Sequence, residues 1–308
     1  FESNILFDKN KTNILFISTI ALKNTNTFSI PEGIKSYSTD ISGMTNIKKI
    51  IIPASLTDID PNKLPKSIES IEIKNGNKTL LYENGFLYNS SQTLIMCCSK
   101  EKDITVPEGI KTIGALSFKQ ATNVENVVFP DSLVSIQDRV FEGASNIKRI
   151  DIGKNVNNIS PIFKRRNYNG VVNIDKENTN YVIENNILYK LNNGKKERLV
   201  AVLTENTNNI EISKEVNIIG TNAFFGQKSM TQIIIPKGVT SIEGGAFSEC
   251  SKLERVEIPN TVTDIANTAF SAESFNLSEI IIHNKENSIA GAPWGAAKGM
   301  KVVQWVGK

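Results

Sequence analysis

The sequence has 308 residues, 40% of them hydrophobic and 22% charged, a balance that excludes a disordered chain and supplies enough apolar side chains for a folded core. Its 35 basic and 32 acidic residues leave a net charge of only +3, and the basic ones do not gather into the footprint that nucleic-acid binding requires. No run approaches the roughly 18 apolar residues of a membrane span, so no membrane insertion is expected in this segment.

In chain order, Ile5, Leu6 and Phe7 lead through the turn Asp8 to Asn13 into Ile14, Leu15, Phe16 and Ile17, which predicts a hairpin. Phe28 and Ile30 then open a series of short strands, continued by Ile50 and Ile52 before Pro53, and by Ile71 and Ile73. A second hairpin is predicted from Phe86, Leu87 and Tyr88 with Leu94, Ile95 and Met96, after which the strands resume at Ile104 and Val106. Val127 and Phe129 follow before Pro130, then Ile150 and Ile152 before Gly153. The coil through Phe163 to Gly170 departs from this pattern, and its Lys164, Arg165 and Arg166, like Lys195 and Lys196, read as solvated loop residues. A third hairpin is predicted from Ile187, Leu188 and Tyr189 with Leu199 to Val202, and the strands resume at Ile210 and Ile212. Beyond His283 the Gly/Ala-rich segment, Trp294, and the strand Val302, Val303 and Trp305 read as a cap over the last coil.

The clearest unit runs from Ile233 to Pro259. It holds a short apolar strand closed by Pro236, then Val239, Ile242, Ala246 and Phe247, then Leu253, Val256 and Ile258 before the next proline. Pro107 and Pro130, like Pro236 and Pro259, stand about 23 residues apart, and a period of about 20 to 29 residues with leucine-like residues at set positions marks a leucine-rich-repeat solenoid. In a strand, alternate side chains face opposite ways, so Val256 and Ile258 point inward and Arg255 and Glu257 outward. Phe118, Phe141, Phe224, Phe247 and Phe270 form a predicted aromatic column in the core. The expected fold is a right-handed, mostly β solenoid of short parallel strands and turn or 3-10 segments. It carries three inserted hairpins near 4–17, 81–97 and 181–203 and a cap over 284–308, all within one continuous domain of residues 1–308.

The run from Ile235 to Pro259, IPKGVTSIEGGAFSECSKLERVEIP, closely resembles the BspA-like leucine-rich repeat, and the YENGFLY and ENNILY segments resemble the hairpin insertions that such proteins carry. The segment SIAGAPWGA with Trp305 is similar to a common ending of their arrays. Val140 stands in place of the usual alanine, and Ala144 and Gln227 stand in place of the usual cysteine. The resemblance implies a bacterial surface-exposed or secreted protein of a host-associated microbe, acting as an adhesin or protein-interaction module, with no shared catalytic site. The chain opens at Phe1 rather than Met, so a processed or excised segment is expected, with the extracellular signal and anchor outside it.

Tests for chemistry all favour a structural reading. His283 is the single histidine and reads as a surface residue, since neither a zinc site nor a hydrolase triad assembles around it. The turn DKNKTN lacks the glycine and closing glutamate of a calcium loop, and phosphate-binding glycine loops are absent. Cys97 and Cys98 are adjacent and Cys250 is remote, which excludes a disulfide framework and makes Cys250 a buried apolar thiol. Glu211 and Glu257, placed on matching outward positions two coils apart, would stand roughly 10 Å apart, at or beyond the limit for an inverting glycosidase, and Arg255 turns them towards a salt-bridged ladder. No cofactor, metal or catalytic residue is assigned.

Binding is expected on the outward strand face: Lys49 and Ile51, Ser70 and Glu72, Asn126 and Val128, Arg149 and Asp151, Asn209 and Glu211, Gln232 and Ile234, Arg255 and Glu257, Glu279 and Ile281. The candidate partner-binding residues are Lys49, Arg149, Asp151, Gln232, Ile234, Arg255, Glu257 and Ile281, with Arg149 and Arg255 as anchors. The leading expectation is a non-enzymatic module binding host matrix or another protein, with a glycan as a further ligand class, and a monomer is expected. The other is a structural spacer that presents another domain away from the cell wall.

Overall fold

The alternation that the sequence predicts is realised in the strand Lys49–Ile52, where Ile50 and Ile52 are buried and Lys49 and Ile51 are half-exposed. The computed structural model describes residues 5–160, 170–204, 208, 210–271 and 276–308. The chain forms two compact units, one running to Gly153 and the other beginning at Lys154.

In the first unit, Thr27–Ser29, Lys49–Ile52 and Ser70–Ile73 pair in parallel. So do Asp103–Thr105, Asn126–Val128 and Arg149–Ile152, with Asn126 opposite Arg149 and Val128 opposite Asp151. Several coils also contribute a second, shorter strand that carries no signal in the sequence. Thr112–Ile113 pairs in parallel with Ser135–Ile136, and Ser36–Tyr37 with Asp58–Ile59. A two-residue strand shows only one inward apolar residue, here Ile113 or Ile136, so no alternation signals it.

The segments predicted as hairpins are antiparallel. Ile5–Phe7 pairs with Ile14–Ile17, while the other two regions are three-stranded meanders. Leu80–Glu83, Phe86–Asn89 and Thr93–Cys97 form one, and Tyr181–Glu184, Ile187–Asn192 and Lys195–Val202 form the other. The extra strand follows from the turn: Asn84 and Gly85, or Asn185 and Asn186, all at positive φ, make the two-residue connection that matches strand twist. The last meander strand becomes the edge of the short-strand ladder, Leu94 pairing with Ile113 and Leu199 with Ile219. Glycine is required at that junction, because a Cβ on Gly114 would stand 2.5 Å from the Leu94 carbonyl oxygen and one on Gly220 would stand 2.7 Å from that of Leu199.

In the second unit Gln232–Ile234, Arg255–Ile258, Glu279–Ile282 and Val303–Trp305 form a parallel sheet in that order. The expected strand at Ile210 and Ile212 does not form. Ile212 is buried, but the Ser213 amide donates to the Tyr189 hydroxyl at 3.2 Å, engaging the meander instead of a ladder. The irregular segment 163–169 lies outside the described residues. Trp294 is fully buried near the chain's end.

The phenylalanine column is core, with ring centroids 4.9 Å apart for Phe118 and Phe141, 5.0 Å for Phe224 and Phe247, and 5.1 Å for Phe247 and Phe270. Asparagines tie successive coils: Asn46 donates to the carbonyls of Leu22 and Thr25, Asn77 to Pro53 and Leu56, and Asn178 to Val156. These bonds satisfy turn carbonyls that no strand neighbour reaches.

Gln227 is an exception to this economy. It occupies the coil position of Cys250, whose thiol donates to the Phe224 carbonyl at 3.1 Å. Yet Gln227 is fully buried, and neither its amide nitrogen nor its amide oxygen has a hydrogen-bond partner. Leaving a polar group buried and unpaired costs about 1–3 kcal/mol, so Gln227→Cys is expected to stabilise the second unit by about that amount. Urea unfolding checks this, and a variant no more stable than the parent would contradict it.

Candidate functional site

The predicted partner-binding residues fall on three strand groups. Lys49 lies on the first sheet, Arg149 and Asp151 on the next, and Gln232, Ile234, Arg255, Glu257 and Ile281 together on the sheet of the second unit.

On the first sheet the Lys49 ammonium stands 2.6 Å from the Glu72 carboxylate and holds it below the usual carboxylate range. On the second, Arg149 donates from Nε to Asp151 Oδ1 at 2.9 Å, which raises the guanidinium further. Asn126 donates to Asp103 beside it. Glu125 accepts from Lys148 at 2.6 Å and pairs with Lys102 at 3.2 Å, and both lower its carboxyl.

The second-unit sheet carries the largest group. Strand register sets Gln232, Arg255 and Glu279 in one row and Ile234, Glu257, Ile281 and Gln304 in the next. Arg255 bridges both rows, with Nη2 3.5 Å from Glu257 and Nη1 3.0 Å from Glu279. Gln304 donates to Glu279 at 3.0 Å, and His283 Nε2 lies 2.9 Å from Glu257. Gln304 and His283 were not among the predicted site residues. Their signal was the continuation of the same outward spacing beyond Ile281. Exposed ion pairs of this kind add about 0–1 kcal/mol each, so the ladder fixes side-chain positions and gives each charge a partner more than it stabilises.

Ile234 is the most exposed large apolar residue of this face and stands outside the ladder. It is 68% exposed, directly opposite Glu257 in the register, with Ile281 half-exposed on the far side of that glutamate.

Asn209 lies outside the described residues. Glu211 lies outside the strands, so Glu211 and Glu257 are not set in register as a carboxylate pair. In the turn read against calcium, Asp8 Oδ1 accepts from the Asn13 and Thr12 amides and Oδ2 from their side chains. Its oxygens hold the turn, and the Asn13 amide leads in lowering its carboxyl. All three cysteines are buried, and burial pushes the Cys97 and Cys250 thiols up to about 12, so neither is a nucleophile at neutral pH. Among the described residues no group of three or more His, Cys, Asp or Glu could hold a metal ion, and no helix is long and apolar enough to cross a membrane.

The sequence matches the family described as BspA type Leucine rich repeat region, in 6 copies over residues 9–102, 90–193 and 202–293. No curated protein matches it. Among solved structures, the pneumococcal vaccine antigen PcpA is similar at 16% identity, with 93% of this chain and 89% of that chain covered and a TM-score of 0.52, which shows the shared fold. A leucine rich cell surface protein from Faecalibacterium prausnitzii is 18% identical, with 92% and 94% covered and a TM-score of 0.44. A leucine-rich repeat protein from Eubacterium ventriosum is 21% identical at a TM-score of 0.45, over 85% of this chain and 61% of that one. The family and its solenoid fold are generally non-enzymatic and suggest a protein-interaction role. With the repeat period, the parallel ladders and the family match in agreement, this chain belongs to the BspA type leucine-rich-repeat family.

Proposed function

We propose that the chain is a non-enzymatic cell-surface or secreted module that binds a protein, such as a host matrix protein, through the second-unit strand face centred on Ile234. The observation that carries this reading is the 68% exposure of Ile234 beside a ladder whose charges already satisfy one another. Burying an isoleucine side chain is favourable by about 1.5–3 kcal/mol. A partner covering Ile234 and Ile281 gains that without stripping water from an unpaired charge. Arg255 and Glu257 then act as a rigid polar rim around an apolar centre, the anatomy of a modest protein interface. Gln232, at the edge of the same face, supplies a neutral polar contact. Lys49, Arg149 and Asp151 belong to sheets of the first unit and are proposed to lie outside this contact.

The test is saturable binding of the purified chain to a panel of extracellular-matrix proteins and glycans, beside Ile234→Asp and Val128→Asp. Val128 is an exposed strand residue of the first unit and serves as the control. Ile234→Asp is expected to weaken binding at least about tenfold, equivalent to roughly 1.4 kcal/mol, while Val128→Asp leaves it unchanged. Saturable binding that survives Ile234→Asp overturns the placement. Absence of binding to every panel member favours the spacer.

A further inference from the structure

We infer that the turn at residues 259–262 is a seat for a carboxylate, and that an acidic side chain of the partner covering Ile234 fills it. The identity of that occupant rests on the binding face proposed above, whereas the seat itself rests on three copies of one turn. Leu56 donates its amide to the Pro53 carbonyl at 3.4 Å, Leu133 to that of Pro130 at 3.1 Å, and Val262 to that of Pro259 at 3.2 Å. The preceding coil meets each turn in the same way. The Gly33, Gly109 and Gly238 amides donate to the hydroxyls of Ser55, Ser132 and Thr261 at 2.9, 2.9 and 3.3 Å. A turn closed like this leaves its two central amides unused within the turn, a pair of donors that suits an anion.

In two copies a glutamate of the chain supplies that anion. Glu32 accepts from the amides of Ala54 at 3.3 Å and Ser55 at 3.0 Å, and Glu108 from those of Asp131 at 3.1 Å and Ser132 at 3.2 Å. The Ser55 side chain leads, with the Ser55 and Ala54 amides after it, in holding the Glu32 carboxyl below the usual range, so this geometry favours the ionised form. In the third copy Lys237 stands where those glutamates stand, between a proline and a glycine as they do. Among the described residues the Asn260 and Thr261 amides have no hydrogen-bond partner and Lys237 has no ion pair, and both Asn260 and Lys237 are exposed. The chain has thus exchanged the anion that it supplies elsewhere for a cation, which leaves two N–H donors and an ammonium group to be matched from outside. A carboxylate meets all three, and it is the group that the other two copies hold. Lys237 follows Ile234 by three residues, at most about 11 Å of backbone, so one partner surface reaches both.

The seat is tested without a partner, by titrating the chain with acetate while chloride holds the ionic strength constant and amide proton shifts are followed by NMR. The Asn260 and Thr261 amides are expected to move downfield and saturate, while Asp131 and Ser132, already bonded to Glu108, stay in place. Lys237→Glu is expected to abolish that response and to slow hydrogen exchange at Asn260 and Thr261, because the new side chain fills the seat as Glu108 does. The reciprocal Glu108→Lys is expected to make Asp131 and Ser132 respond. No acetate shift at Asn260 and Thr261, or an equal one at Asp131 and Ser132 in the parent, overturns the seat. The occupant is tested with a panel protein that binds, where Lys237→Glu is expected to weaken binding at least about tenfold. Binding lost in Ile234→Asp but unchanged in Lys237→Glu overturns the acidic occupant and leaves the binding face standing, and binding that survives both overturns both. If no panel protein binds, the occupant falls with the binding face, and the acetate titration alone decides the seat.

Discussion

Phe247→Ala is expected to destabilise the second unit by about 3–5 kcal/mol, among the largest effects of any single substitution in this chain. The Phe247 ring is fully buried between Phe224 and Phe270, 5.0 and 5.1 Å away and within 13° and 7° of parallel. Removing it opens a cavity lined by both rings, and neither can move in to fill it. Each is fixed by a backbone bond to the turn that follows it, Phe224 through its amide to the Ala246 carbonyl at 2.8 Å and Phe270 through its amide to the Trp294 carbonyl at 3.0 Å. A repeat array is held by neighbour contacts, so loss of a middle ring weakens two interfaces at once. Phe247→Leu keeps most of the volume and is expected to cost less than about 1.5 kcal/mol. Equilibrium urea unfolding checks the pair, and equal costs would show that the column is not held by shape.

Trp294→Ala is expected to cost a similar amount, about 3–5 kcal/mol, for a different reason. Trp294 is fully buried, its indole N–H donates to the Ala290 carbonyl at 2.7 Å, and its ring meets Trp305 edge-on at 6.2 Å. The backbone of Trp294 receives the Phe270 amide, so this residue stands where another coil would continue the phenylalanine column. Losing it uncovers Phe270 to water as well as creating a cavity. Trp294→Phe retains a ring and loses one hydrogen bond, worth about 1 kcal/mol. Hydrogen exchange should locate the Ala effect at Glu279–Ile282, the last full coil strand. A loss spread evenly over the second unit would contradict a terminal role for Trp294.

What the sequence made legible was whatever recurs at a fixed spacing. Val127, Ile150, Val256 and Ile280 recur once per coil, so the long strands, their register and their outward rows could be read directly, and so could the phenylalanine column. The short strands at Ile113 and Ile136 could not, because one inward residue carries no alternation. The extra meander strands have a visible signal in Asn84-Gly85, a two-residue hairpin turn that the longer loop after Tyr88 overshadows. The strand at Ile210 was predicted from periodicity and lost to the Tyr189 hydroxyl, a contact 24 residues distant in sequence. On the candidate face, the sequence supplied the outward residues but not which of them remain unsatisfied. Arg255 looks like an anchor in a strand read alone. Once Glu257, Glu279 and His283 are set around it, the charge is spent within the face, and the conspicuous residue becomes Ile234.

Hydroxyl-radical footprinting of the chain with and without a saturating panel protein tests most directly whether apolar contact at Ile234, not charge, carries binding. Ile234 is predicted to lose labelling on binding, together with His283 at the end of the ladder, while Val128 labels equally in both states. Unchanged labelling at Ile234, with protection at Val128 or in the meanders instead, would contradict the account.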